Sequence, residues 1–248
     1  MSAPVAAKTS GLSTVIDTIA SPNEAFERQR TMPTWGWALL AAIVLMLIGT
    51  YLQGPAMRHA SVAQIQHMLA NNPTLANVSD AKRQQMIANA GKPSPWTYAG
   101  VVLSLFVAVF FNTLVMLIGN AAGRGDADFK RLWCGSMNMA VPTLGLGAIA
   151  LGAITMVRGA DSFPNAFAIA QAVPSLGMLA PGANIVTATF LSGFSVFMLW
   201  GFFLNATMLR ITAKTSPAIA YTFAAIVIVL GAAVAAAGAA LTHKIGMV

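Results

Sequence analysis

The chain has 248 residues, of which 57% are hydrophobic and only 8% charged. A soluble globular domain carries roughly 25% charged residues, so too few charges are present to solvate a soluble surface, and lipid must cover most of it. The formal net charge of +7 is scattered over every loop without a dense basic run or interleaved aromatics. That pattern argues against nucleic acid and for topogenic charge and contact with anionic lipid.

In chain order, residues 1–10 read as disordered. Leu12, Val15, Ile16 and Ile19 then recur at helical spacing on one face, which predicts a short helix lying on the membrane surface. Ser21-Pro22-Asn23-Glu24 predicts a second short helix: Ser21 as N-cap, Pro22 in the first turn, Glu24 completing a capping box. That helix carries Phe26 and ends with Arg28 and Arg30. Trp35 and Trp37 mark the lipid interface. Residues 1–34 are thus expected to form a cytoplasmic tail.

Five apolar stretches follow, at 35–52, 96–118, 138–157, 185–209 and 217–241, and none contains a charged side chain. At about 1.5 Å per residue the shortest rises about 27 Å, close to the thickness of a hydrocarbon core. Residues 35–241 are therefore expected to form one membrane domain, with 242–248 a short tail. The first apolar run lacks a small-residue cleavage site and reads as an uncleaved anchor. Between the first two spans, loop 53–95 is expected to be a helical hairpin. One helix includes Val62, Ile65, Met68 and Leu69 and stops at Asn71-Asn72-Pro73. A second follows Ser79 and stops at Gly91. Residues 163–173 are too short to cross and predict an interfacial or re-entrant helix.

Basic residues set the expected orientation. Lys8, Arg28 and Arg30, then Arg124, Lys130 and Arg131, then Arg210 and Lys214, share one side. The other side carries Arg58, Lys82, Arg83, Lys92, Arg158 and Lys244 more sparsely. The density predicts a cytoplasmic N-terminus and an extracytoplasmic C-terminus, in a bacterial inner membrane.

No constellation carries chemistry. His59 and His67 lack metal-site spacing and a nearby acidic neighbour in sequence. Asp126 and Asp128 read as a solvated turn. Cys134 is the only cysteine and reads as a small buried apolar residue. Gly119, Gly123 and Gly125 end a helix instead of opening one, so they are no phosphate fingerprint. They are expected to stop the second span in left-handed conformations. Phe129 and Trp133 then anchor the next helix, and Pro142 should kink the third span. The polar residues in lipid are neutral: Ser104, Asn112 and Thr113 in the second span, Ser192, Ser195 and Asn205 in the fourth. Asn112 and Asn205 read first as interhelical hydrogen-bonding groups, and second as lining a substrate path. Gly145, Gly147 and Gly152, and then Gly231 and Gly238, let helix backbones approach closely.

The element Ser21-Pro22-Asn23-Glu24-Ala25-Phe26, the stretch from Gly119 through Phe129, and Val141-Pro142 together resemble the Yip1 family of small multispan membrane proteins, in its bacterial form. The resemblance covers roughly residues 12–241. It implies a non-enzymatic protein that works through partners. Eukaryotic relatives bind prenylated Rab-type GTPases in vesicle traffic, and some bacterial relatives accompany export ATPases as accessory subunits.

The sequence therefore predicts an all-α, polytopic bundle of five transmembrane helices with no catalytic, metal or cofactor residues. The expected role is accessory or modulator of a larger membrane assembly such as an export ATPase complex. The alternatives are a passive transporter or channel for a small or lipidic molecule, and a trafficking factor that binds a small GTPase. The expected partners are membrane lipids and another membrane protein, such as an ABC-type transporter component, or a second copy; nucleic acid is not among them. Arg28, Arg30, Lys130 and Arg131, with Gly231 and Gly238, are the candidate docking residues.

Overall fold

The computed structural model describes residues 11–71 and 78–244. The expectations for residues 1–10, including Lys8, for the Asn72-Pro73 stop and for the last four residues lie outside it, as do the side chains of His243 and Lys244. The described chain is helical: α1 (Gly11–Ala20), α2 (Pro22–Thr31), α3 (Gly36–Asn71), α4 (Asp80–Asn89), α5 (Pro95–Ala122), α6 (Phe129–Ala140), α7 (Leu146–Arg158), α8 (Ala166–Ala170), α9 (Ile185–Ser192), α10 (Val196–Ile211) and α11 (Pro217–Lys244). Four helical segments are long and apolar enough to cross a membrane: Gly36–Asn71, Pro95–Ala122, Phe129–Arg158 and Pro217–Thr242.

The two N-terminal helices form where expected but face otherwise. Thr14, Val15 and Thr18 of α1 are buried, while Leu12 and Ile16 stay exposed. The protein thus takes the small, β-branched edge and leaves the bulkier side outward, where lipid can cover it. Pro22 opens α2, but Ser21 makes no side-chain cap bond. Its own N–H is already taken by the Asp17 carbonyl at the end of α1, so the capping box has no donor left to satisfy. Ala25 and Phe26 are fully buried. Phe26 packs with Leu132, Met208 and Leu209, and its carbonyl accepts from Thr212 Oγ1 at 3.1 Å. Arg28 pairs with Asp17 at 2.6 Å and donates to Ser13 Oγ. The α1–α2 pair is therefore part of the bundle. The end of the bundle that it covers is the proximal end.

The first span and the first helix of the expected hairpin are one helix, α3, which runs through Pro55 without ending. Ala56 and Ala60 explain the continuation: both are buried against Phe163, Ile169 and Ala172, so tertiary packing holds the helix beyond the length that lipid requires. Ser79 precedes α4 without a side-chain cap. Gly91 is left-handed, φ +63°, beside Arg58, which matches its expected stop. The expected helix over 163–173 is shorter: α8 covers only Ala166–Ala170, capped by Asn165. Phe163 plugs the distal side, with Arg158 stacked 4.9 Å over its ring.

Small residues set the tightest crossing. Gly49 of α3 faces the Ala148 backbone of α7, and Gly152 faces Leu52, while Gly147 faces Phe197 of α10 instead. Pro142 lies in a single π-helical turn, Val141–Gly145, between α6 and α7. Proline lacks an N–H and its ring crowds the carbonyl four residues back. The wider turn, closed by Leu146 N–H on the Val141 carbonyl, relieves that crowding.

The expected fourth span is not one helix. It divides into α9 and α10 at Gly193-Phe194-Ser195. Ser195 caps α10 by accepting from Met198 N–H at 3.4 Å. Val196 N–H donates to the Pro174 carbonyl, and Ser175 and Ser195 form an isolated antiparallel bridge. A Cβ on Gly193 would lie 2.9 Å from Ala232 Cα. The break thus occurs where backbone meets α11 and where the 174–175 segment reaches in to satisfy the freed groups.

Candidate functional site

The glycine motif forms a structural seat at the proximal end. Gly123 has φ −86°, and the left-handed residue is Arg124, at φ 51°. The expected left-handed glycines are therefore corrected. Gly125 N–H bonds to the Asn120 carbonyl and Arg124 N–H to the Ala121 carbonyl, the pairing of a Schellman cap. The glycines serve close approach. A Cβ on Gly119 would lie 2.7 Å from Phe223 Cγ of α11, and one on Gly123 would lie 2.8 Å from Thr215 Cγ2. A Cβ on Gly125 would run into Asn120 Oδ1 and the Ala213 carbonyl.

Asn120, which the sequence reading passed over, holds this seat. It is buried, donates to the Ala127 carbonyl at 2.9 Å and accepts from Ala127 N–H at 3.2 Å. Its signal was its place between Gly119 and the turn, an amide at the end of an apolar run. Asp126 lies 3.3 Å from Lys214 and 3.9 Å from Arg30, and its N–H donates to the Ala213 carbonyl. Asp128 caps α6 through Arg131 N–H. The acidic pair thus pins loops and helix starts together.

Of the candidate docking cations, Arg28 is engaged with Asp17, Arg30 approaches Asp126, and Arg131 donates to the Asp126 carbonyl at 3.2 Å. Lys130 is exposed. Phe129 is exposed and stacks on Trp133 with centroids 6.0 Å apart. Phe26, on the same helix as Arg28 and Arg30, is buried and out of reach of a partner. On α11, Gly231 and Gly238 are exposed with nothing within 4 Å of an added Cβ, while Ala232, Ala236 and Ala239 are buried. The alanines make the close packing, and the two glycines lie away from it.

A cavity of about 1020 Å³ lies among α5, α7, α9, α10 and α11. That matches the upper end of small-molecule pockets, roughly 1,000 Å³. No Asp, Glu, Lys, Arg or His lines it. The wall is apolar: Leu103, Val107 and Phe111 from α5, Val227 and Val234 from α11, Leu151 from α7. Leu103, Val107 and Val234 are each at least 60% exposed, so the cleft opens sideways toward what would be lipid.

A neutral polar cluster forms its floor. Asn112 Nδ2 of α5 donates both to Ser136 Oγ of α6 at 2.9 Å and to Asn205 Oδ1 of α10 at 3.1 Å. Asn205 is only 5% exposed. Both sequence readings of the asparagines meet here: they bond across helices, and the same side chains line a cavity. The cluster lies ~10–15 Å from the proximal helix ends, counted along α5, α6 and α10. Thr143 of the π turn, and Ser192, Gly193 and Ser195 of the break, also line the cleft. The π turn and the α9–α10 break therefore both border it. What joins these residues is the splay of helices, which no local pattern encodes.

His59 and Asp161, distant in sequence, lie 3.5 Å apart at the distal surface, with His59 Nδ1 3.4 Å from the Phe163 carbonyl. No group of three or more His, Cys, Asp or Glu residues suited to a metal is found among the described residues. No protein-family model, curated protein or solved structure matches this chain.

Proposed function

We propose that this chain is a non-enzymatic integral membrane protein that holds a lipid-like molecule within the bilayer, as a passive carrier or lipid-dependent modulator. The cleft carries the reading. It is as large as a small-molecule pocket, apolar, uncharged and open sideways, while its floor offers hydrogen bonds to one end of a guest. α9 and α10 supply a fifth crossing in two pieces. Both pack along α11, with Gly193 against Ala232 and with Leu209 and Ala213 grouped with Ala220 and Ala224. With a fifth crossing of this kind, the basic-residue density favours a cytoplasmic proximal end and N-terminus in a bacterial inner membrane, and a C-terminus outside. The test is lipid analysis of protein purified in mild detergent. Wild type should retain a defined lipid, and Gly231→Phe, which fills the open wall of the cleft, should lose it. Equal lipid content in the two proteins overturns the reading.

A second reading keeps the Yip1-type role of accessory subunit in an export ATPase complex. It is favoured by Gly231 and Gly238, two turns apart on an uncovered face of α11. Leucine at both positions should release a co-purifying membrane protein, and retention of that protein in the double variant overturns it.

A further inference from the structure

Resting on the cleft reading above, we infer that the guest is an uncharged lipid whose head is a free hydroxyl, bound head-first against Asn112 and Asn205.

The hydrogen-bond inventory at the floor leads to this. Asn112 Nδ2 carries two hydrogens, and both are spent, one on Ser136 Oγ and one on Asn205 Oδ1. Among the described residues Asn112 Oδ1 and Asn205 Nδ2 take no hydrogen-bond partner, and both side chains line the apolar cavity. Turning both amides over exchanges their roles but still leaves one donor and one acceptor. A guest that covers these two atoms without bonding to them costs free energy that a matching group restores. Water can serve that need, and a ligand that enters must replace what it displaces.

Three chemistries can be compared at this floor. A pure hydrocarbon leaves the free donor and acceptor unmatched. A phosphate or carboxylate head brings charge into a cavity lined by no Lys, Arg or His, and an unpaired charge in low dielectric is the costliest of the three. A hydroxyl donates to Asn112 Oδ1 and accepts from Asn205 Nδ2 with one atom, and carries no charge. Its acyl chains then run from the floor along Val107, Leu103 and Val227 toward the lateral opening. Diacylglycerol is the simplest lipid of this description.

The experiment uses the full chain in phosphatidylcholine nanodiscs, labelled with a photoactivatable diacylglycerol. Unlabelled dioleoylglycerol, its 3-O-methyl ether and dioleoyl phosphatidylglycerol are the competitors. Dioleoylglycerol should protect, and the other two should protect at least about tenfold more weakly, because one lacks the donor and the other brings charge. This comparison needs only wild-type protein. Asn205→Leu should abolish the preference among the three. Equal protection by all three, or an Asn205→Leu protein that still discriminates, overturns the hydroxyl assignment. Gly231→Phe separates the two levels. If it removes labelling while the competitors are equivalent, the lipid cleft stands and the head-group inference falls. If it leaves labelling unchanged, the cleft reading falls as well. Recovery of a polypeptide from the cleft, resistant to every lipid, overturns both in favour of a partner helix.

Discussion

α5 and α11 face each other at both ends, and the two ends differ. At the proximal end Gly119 and Gly123 bring the α5 backbone onto Phe223, Thr215 and Ile219, and an added Cβ has nowhere to go. Toward the distal end the same helices line the cleft with exposed Leu103 and Val234, and a Cβ on Gly231 meets nothing. Glycine in a membrane helix is commonly read as a packing residue. Here one residue type closes a seam on one helix and leaves space on the other. The difference lies in the partner opposite: a bulky ring and a loop at the proximal end, an open cavity at the distal end.

The closed seam gives the largest expected effect. Gly119→Leu should lower stability by about 3 kcal/mol, because the new side chain meets Phe223 with no cavity to receive it. The melting temperature in detergent reads it. An unchanged value would mean that the two helices can part there as easily as they do distally, and the contrast would dissolve.

Asn120→Ala comes next, at about 2 kcal/mol, because it strands the Ala127 N–H and carbonyl beneath the seat. It should loosen the proximal turn without touching the cleft, so lipid content should hold while the melting temperature falls. Loss of bound lipid in Asn120→Ala would show that the two ends are coupled.

The long helices were legible because hydropathy sums over many residues, and one substitution cannot erase a run such as 96–118. The break at Gly193-Phe194-Ser195 was not, because one Gly and two flanking Ser barely dent that sum. What ends α9 is contact with Ala232 and with the 174–175 segment, both remote in sequence. Pro142 was legible as an irregularity, and its form, a π turn, was set by its neighbours. Asn112 and Asn205 stood out as amides in lipid, yet their pairing depends on which helices meet. Conformational preference assigns the left-handed residue after α5 to a glycine, whereas the structure has it at Arg124 and uses Gly123 and Gly125 for close approach.

That displacement supplies a smaller test of opposite sign. A non-glycine residue in the left-handed region costs on the order of 1 kcal/mol. Arg124 is exposed, so its side chain contributes little there to offset the cost. Arg124→Gly should raise stability by about 1 kcal/mol, seen as a modest rise in melting temperature. A fall would show that the arginine side chain holds the turn by a contact stronger than the strain.

The smallest effect is expected at the open end and is the most informative. Gly231→Leu and Gly238→Leu, alone or together, should change stability by less than about 0.5 kcal/mol, because each new side chain enters space with no atom within reach. Leucine is also the better helix former, so a slight rise is the natural direction. The same pair of changes at Gly119 and Gly123 should be disabling. A large loss on α11 would require a surface that the isolated chain lacks, and hence a copy or partner helix seated on those glycines in the purified protein. Measuring the double variant at two protein concentrations separates the cases: a loss that vanishes on dilution belongs to an intermolecular seam, and one that persists belongs to a closed form of the cleft in which α5 has moved onto α11.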